Sequence, residues 1–212
     1  MNKILRENNK MKIYQTHMAP NPRRVRMFLA EKNIAMEYQE VDIGAGDNLT
    51  PEMKAKNPTT KLPFLELNDG TCIGETVAIC RYFEEINPEN PLMGRTALEK
   101  AQVEMWQRRV EFHLLQPITM CFVHTTGFFK DRMKPISEWG DASGENAVAY
   151  FDALNEHFSN SDYLVGDYFS IADITLLCSI DFARVVKIRV DEEYTHLLDW
   201  YARVSARASA SA

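Results

Sequence analysis

Three stretches of this sequence carry groups that can bind or activate a small ligand. The first is Thr16-His-Met-Ala-Pro-Asn-Pro-Arg23, a turn leading into an apolar helical pattern. It contains no cysteine, so thiol chemistry there has to use a thiol supplied by the ligand. Asn21 is open to two readings: a donor to such a thiolate, or an N-cap with Pro22 at the first helical position. The second stretch is Lys61-Leu-Pro63, just before an apolar run. Pro63 reads either as an ordinary strand-start proline or as a cis proline that leaves the preceding backbone free to pair with an extended peptide. The third is Glu75-Thr76 at a helix start, where unsatisfied amides attract a carboxylate. There Thr76 adds a hydroxyl donor and Glu75 can pair an amine; alternatively the two residues only cap the helix and complement its dipole.

The elements that position these stretches read in order. Lys12-Ile-Tyr-Gln15 is a short strand, and Val25, Phe28, Leu29 and Ala30 follow with helical spacing. Met36 to Val41 reads as a second strand and Pro51 to Lys56 as a short helix. Phe64 to Leu67, the turn Asn68-Asp-Gly70 and Thr71 to Ile73 form a hairpin, and Glu75 to Ile86 is a helix. The order βαβαββα predicts an α/β thioredoxin-like N-terminal domain over residues 1–88. A Pro- and Gly-interrupted linker follows at 89–96, then an all-α C-terminal helical domain at 97–212. Thr96 with Glu99 predicts a capping box opening a long helix, inside which Pro117 should produce a kink. Further helices are expected at Glu138 to Phe158, Ile171 to Val186 and Asp191 to Ala206. Ser170 with Asp173 is a second box, flanked by Phe169 and Ile174 as a hydrophobic staple. The Ala- and Ser-rich end, Arg203 to Ala212, should fray.

Composition excludes several classes of function. The 212 residues are 45% apolar with a formal net charge of -6, which gives no electrostatic footprint for nucleic acid. Arg23, Arg24 and Arg26 form one dense basic cluster, at a spacing that puts most of it on a solvated helix face. No run approaches the roughly 18 apolar residues of a membrane span. Met1 to Lys10 is polar and lacks the apolar segment of a signal peptide, so a cytoplasmic location is expected. Cys72, Cys80, Cys121 and Cys178 are scattered without a CxxC, as for reduced thiols. The five histidines have no metal-ligand spacing, and Gly44-Ala-Gly46 opens no dinucleotide-binding helix.

The Pro-Asn-Pro turn, Asn57-Pro, Lys61-Leu-Pro-Phe-Leu-Glu-Leu-Asn-Asp-Gly70, Glu75-Thr-Val-Ala-Ile79 and the Ser170-x-x-Asp173 box, taken in order, resemble a cytosolic glutathione transferase over roughly Met11 to Ala206. Arg24-Val-Arg26, Ala30-Glu-Lys-Asn33, Trp106-x-x-Arg109 and a helix centred on Pro117 are similar to the atypical yeast-type class and its bacterial relatives. The resemblance implies glutathione as co-substrate, with no permanently bound cofactor and no metal, and a homodimer whose site is completed by the partner. It implies that Leu62, before Pro63, pairs with the cysteinyl unit through its backbone. Glu75 and Thr76 would hold the γ-glutamyl end, and Lys61 would approach a terminal carboxylate. Better known classes activate the thiol with a Tyr, Ser or Cys near the first strand. Here Tyr14 and Thr16 are the hydroxyls of that region, and Tyr14, within the strand, reads as a core aromatic. Ala19 stands where a related bacterial class has Thr, and Asn21 matches that class's Asn.

The yeast-type class is thought to hold a water near the thiol with a Ser and a His of the long helix. Thr119 falls at the Ser position and His124 at or beside the His, with Val123 the other register; a capping or solvated role is the alternative for His124. Met120, Phe128 and Phe129 are the candidates for the apolar wall that takes a small hydrophobic electrophile, while Trp106 and Phe122 read as core. A free thiol with pKa near about 8.5 is mostly protonated at neutral pH, and a helix start with one or two hydrogen bonds can lower that value by about a unit or more. The resulting expectation is transfer of glutathione to electrophilic carbon. Glutathione-dependent reduction of disulfides or peroxides, and a non-catalytic binding module, are the alternatives.

Overall fold

The computed structural model describes residues 11–212, so the reading of Met1 to Lys10 lies outside the described residues. They fall into two compact units, the first ending at Asn90 and the second spanning Pro91–Ser211. In the first, β1 (Lys12–Gln15), α1 (Pro20–Glu31), β2 (Glu37–Glu40), α2 (Pro51–Lys56), β3 (Phe64–Glu66), β4 (Cys72–Ile73) and α3 (Thr76–Ile86) follow the expected βαβαββα order. The sheet order is β2-β1-β3-β4. β1 runs parallel to β2, pairing Ile13 with Tyr38, and antiparallel to β3, pairing Tyr14 with Phe64; β3 pairs Leu65 with Ile73 of β4. Ile13, Leu65, Phe28, Leu29, Ile79 and Phe83 are fully buried between sheet and helices.

Two expectations for this unit are corrected. Helix α1 starts at Pro20 with Ala19 as its N-cap, so Asn21 is a first-turn residue and not the cap. Either proline suits a first turn, and the chain takes the earlier one. Arg24 and Arg26 are buried, not solvated. Each turns back toward the start of its own helix: Arg24 Nη1 donates to Asn21 Oδ1 at 2.9 Å, and Arg26 Nη1 to Gln15 Oε1 at 2.8 Å. At the far end of α1, the Lys32 side chain is buried completely, 2.7 Å from Glu84 Oε2. It also donates to the carbonyls of Asn87 and Glu89 at 2.8 and 3.0 Å, tying down the chain that leaves α3.

The second unit is helical: α4 (Ala97–Val110), a π-helical turn (Glu111–Leu115), α5 (Gln116–Thr125), α6 (Ser137–Phe158), α7 (Ile171–Ala183) and α8 (Thr195–Ser205). Pro117 was expected to kink the helix. The preceding turn widens: Gln116 N donates to Glu111 O five residues back. A π turn makes room for a proline ring that would otherwise press on the carbonyl four residues earlier. The first capping box is half formed. Glu99 N donates to Thr96 Oγ1 at 3.2 Å, but the Glu99 carboxylate reaches the backbone N of Arg95. It is drawn there by the Arg95 guanidinium, which holds the carboxyl down at about 2.

The second box is complete, and α7 behind it is buried along most of its length. Helix α7 ends at Ala183 with a 3-10 turn to Val186, and α8 begins at Thr195, after a turn closed by Tyr194 N on Asp191 O. The C-terminal segment does not fray: Ala208–Ser211 is a 3-10 turn with Ser209 buried.

Candidate functional site

The sheet register gathers the three chemistry-bearing stretches. Extending the β1–β3 pairing beyond Tyr14–Phe64 sets Gln15 and Thr16 beside Pro63 and Leu62. β4 runs antiparallel to β3 and ends at Ile73, two residues before Glu75-Thr76, at the end of the sheet where β3 begins just after Leu62-Pro63. The β1–α1 turn, the Leu62–Pro63 step and the start of α3 therefore share one end of the sheet.

Each stretch presents unused hydrogen-bonding groups there. The Leu62–Pro63 peptide is cis, and Leu62 N–H and C=O have no partner among the described residues. The loop before them is fixed from beneath: buried Asn57 donates from Nδ2 to Lys61 O at 2.8 Å and accepts from Thr59 Oγ1 at 2.9 Å. Asn48 Nδ2 adds a bond to Thr60 O at 2.9 Å. Lys61 is exposed and its ammonium has no partner among the described residues.

At the start of α3 the first intrahelical bond runs from Ile79 N to Glu75 O, so the amides of Thr76, Val77 and Ala78 remain free donors. Thr76 is buried beneath them. Glu75, exposed, holds φ +63° and ψ 123°. That backbone state is strained for a side-chain-bearing residue, and the N-cap position keeps it.

The start of α1 is unusual in what its two prolines remove. Pro20 and Pro22 have no N–H, and Arg23 N already bonds Ala19 O at 3.3 Å. Asn21 N–H is therefore the one free amide of the first turn. Its side-chain oxygen is taken by Arg24, so Nδ2 is left free to donate. The hydroxyls of the region are already used: Tyr14 donates to Glu66 at 2.7 Å and Thr16 to Val41 O at 2.6 Å. Tyr14 is a core residue stacked on Phe64 with ring centroids 4.4 Å apart. Burial pushes its phenol above the ordinary range, while the Lys56 ammonium at 2.7 Å works in the opposite sense.

In the helical unit, Thr119 donates its hydroxyl to Leu115 O at 2.7 Å, one turn back along the helix. His124 lies against α6, where Gly140 leaves room: a Cβ there would come within 3.0 Å of His124 Cβ. His124 Nδ1 accepts from Ile136 N at 3.1 Å, so its neutral ring carries the proton on Nε2. The three electrophile-pocket candidates are not gathered together. Met120 lines an open groove of about 470 Å³ with Phe112, Pro117, Trp139 and Tyr150. Phe128 and Phe129 instead meet edge to face and both pack on Phe122, which packs on Phe182 of α7. Trp106 lies on His157, with ring centroids 4.3 Å apart.

Sequence patterns did not point to Gln15 and Glu40. Gln15 Nε2 donates to Glu40 Oε1 at 2.6 Å, and His17 N donates to Glu40 Oε2 at 3.0 Å. The available signal was a polar residue ending an otherwise buried strand.

Comparison with known proteins agrees with this geometry. The model of the glutathione S-transferase N-terminal domain matches residues 13–91, and that of the C-terminal domain matches residues 115–208. The chain is 37% identical to glutathione S-transferase 2 of Saccharomyces cerevisiae over 207 residues, covering 94% of this chain and 88% of that protein. The chain belongs to the glutathione S-transferase family. The crystal structure of Gtt2 from the same yeast superposes with a TM-score of 0.90 at 36% identity, covering 94% of this transferase-family chain and 98% of that one. A further relative is elongation factor 1-gamma 1 of Oryza sativa, 30% identical over 77% of this chain and 40% of its own length. Among the described residues of this family member, no helix is long and apolar enough to cross a membrane, and no cluster of metal-ligating side chains is present.

Proposed function

We propose that this chain binds glutathione and activates its thiol for attack on small hydrophobic electrophiles, with Asn21 donating to the thiolate. In this reading Leu62 pairs with the cysteinyl backbone. The free amides of Thr76 to Ala78 take the γ-glutamyl carboxylate, Glu75 the neighbouring ammonium, and Lys61 the terminal carboxylate. The observation that carries it is the α1 start: Asn21 has its oxygen tied by Arg24 and both its donors free, while Tyr14 and Thr16 already donate elsewhere. Two hydrogen bonds and the positive end of α1 favour thiolate over thiol. Thr119, bonded to Leu115 O, can offer only its oxygen lone pairs, and His124 can offer Nε2–H. Met120 and its groove, or Phe128 and Phe129, would supply the apolar wall.

Titrating the protein with glutathione across pH, and following the ultraviolet absorbance of the thiolate, tests this directly. The bound thiol is expected to ionise about a unit or more below the value of about 8.5 for a free thiol. Asn21→Ala should return most of that shift while leaving the dissociation constant within a few-fold. If Thr119→Val raises the bound thiol's pKa and Asn21→Ala does not, activation belongs to α5. If glutathione binds and its thiol titrates as in water, the binding-module reading replaces transfer; the likeness to an elongation factor 1-gamma is what favours that second reading.

A homodimer is part of the proposal, and a mass of one chain by light scattering would remove it. Turnover of disulfides or peroxides without conjugation would assign the reductase chemistry instead.

A further inference from the structure

The β1–α1 turn is closed by a ring of four hydrogen bonds. Glu40 accepts from Gln15 Nε2 at 2.6 Å and from His17 N at 3.0 Å. Arg26 donates to Gln15 Oε1 at 2.8 Å and to His17 O at 3.0 Å. The Gln15 side-chain amide and the His17 backbone thus both bridge the same two charges. Each gives a hydrogen to the carboxylate and accepts one from the guanidinium. Both bridging groups are polarised in the same sense, and charge-assisted bonds of this kind are roughly twice as strong as neutral ones.

Gln15 and Arg26 are buried while His17 and Glu40 are exposed, so the ring runs from the core to the surface across the turn. Arg26 lies on α1 itself, nearly two turns beyond Pro20. The ring therefore joins the last residue of β1, the turn and the body of the helix.

We propose that this ring positions the donors of Asn21, making Arg26 and Glu40 positioning residues for ionisation of the bound thiol. The inference rests on the reading of Asn21 as the thiolate's donor. The turn has little else to hold it: Ala19 N bonds Thr16 O, Thr16 bonds Val41 O, and Met18 projects into solvent. His17 is held at both its N–H and its C=O, in two successive peptide units. Releasing it frees Met18, Ala19 and the N-cap of the helix whose first turn contains Asn21. The charged and titratable groups facing the ring are Arg24 beside Asn21 and Tyr38 of β2, whose phenol feels the Arg26 charge. A lysine at position 26 would be a point charge without the fork that spans Gln15 and His17 together.

The test uses two variants and two readouts. Glu40→Ala removes an exposed carboxylate, and Arg26→Lys keeps the charge and removes the fork. In the ligand-free protein, exchange of the Ala19 amide, which bonds Thr16 O across the turn, is expected to speed up about tenfold in Glu40→Ala, with the amides of Val25 to Leu29 unchanged. In the glutathione complex, both variants are expected to raise the thiol's pKa by about half to one unit, meaning about three- to tenfold less thiolate at neutral pH. Affinity for S-methylglutathione, which has no thiol, should stay within about twofold. Unchanged exchange at the turn in Glu40→Ala overturns the proposal. So does faster exchange with a wild-type thiol pKa in both variants. If wild-type protein does not lower the thiol's pKa at all, the reading of Asn21 fails first and takes the catalytic part of the ring's role with it, while exchange still reports whether the ring holds the turn.

Discussion

Asp173→Asn is expected to destabilise the helical unit by about 3–5 kcal/mol. The carboxylate is fully buried and meets donors only: Leu164 N and Trp200 Nε1 on Oδ1, both at 3.0 Å, and Ser170 N and Ser170 Oγ on Oδ2 at 3.0 and 3.1 Å. Burial pushes its pKa up to about 6 against the pull of these bonds, so it is ionised at neutral pH. An asparagine has one oxygen and one NH2 group. Turned toward Leu164 N and Trp200 Nε1, its NH2 strands two donors; turned toward Ser170, it strands Ser170 N, because the hydroxyl can rotate and accept. A buried orphan costs about 1–3 kcal/mol, and the bonds that remain drop from the charged range of about 1.5–3 kcal/mol to the neutral range of about 0.5–1.5 kcal/mol each. Chemical denaturation followed by circular dichroism should show a lower midpoint at unchanged slope. A loss below about 1 kcal/mol would mean the carboxylate does not anchor the start of α7.

Lys32→Met should cost a similar amount, about 3–5 kcal/mol, for a different reason. Removing one partner of a buried pair leaves the other as an uncompensated charge. Here Glu84 loses the ammonium 2.7 Å from its Oε2, and the carbonyls of Asn87 and Glu89 lose their donor. The double variant Lys32→Met with Glu84→Leu separates the two contributions. It is expected to recover about half of the loss, because the buried carboxylate is replaced by an apolar side chain while the carbonyls still lack the Lys32 donor. A double variant as unstable as the single would assign the whole cost to the carbonyls, and a stable Lys32→Met would refute the account.

Much of this was visible in the sequence wherever a local pattern has a local cause. Asn68-Asp-Gly70 makes its turn because Gly70 takes φ +86°, and Ser170-x-x-Asp173 makes its box because both partners lie within one turn. Leu62-Pro63 and Glu75-Thr76 could be recognised in order, and the sheet brings both to one end. What the sequence did not disclose depends on contacts between distant residues. Arg26 and Gln15 are eleven positions apart, and a helical wheel reads such an arginine as solvated. Pro20 and Pro22 are equally good first-turn residues, so the choice that puts Asn21 inside the first turn and not at the cap was not local. Thr119 matched a position, but its hydroxyl is spent on Leu115 O. Phe128 and Phe129, read as part of an apolar wall, pack edge-on against each other and Phe129 edge-on against Phe122, contacts that no local pattern discloses.

The π turn at Glu111–Leu115 has a bearing on how this chain is compared with its relatives. One extra residue in a helical turn delays the winding of everything after it by about 100°. A relative whose helix lacks that turn would present, at the same point in space, a residue shifted by one along the aligned text. A shift of that size is the one-residue step between Val123 and His124. Deleting one residue from the turn and replacing Pro117 with Ala would rewind the helix and swing Thr119, Met120 and His124 together to a new face. Equivalent positions beyond Leu115 are therefore better chosen by superposed backbones than by aligned letters.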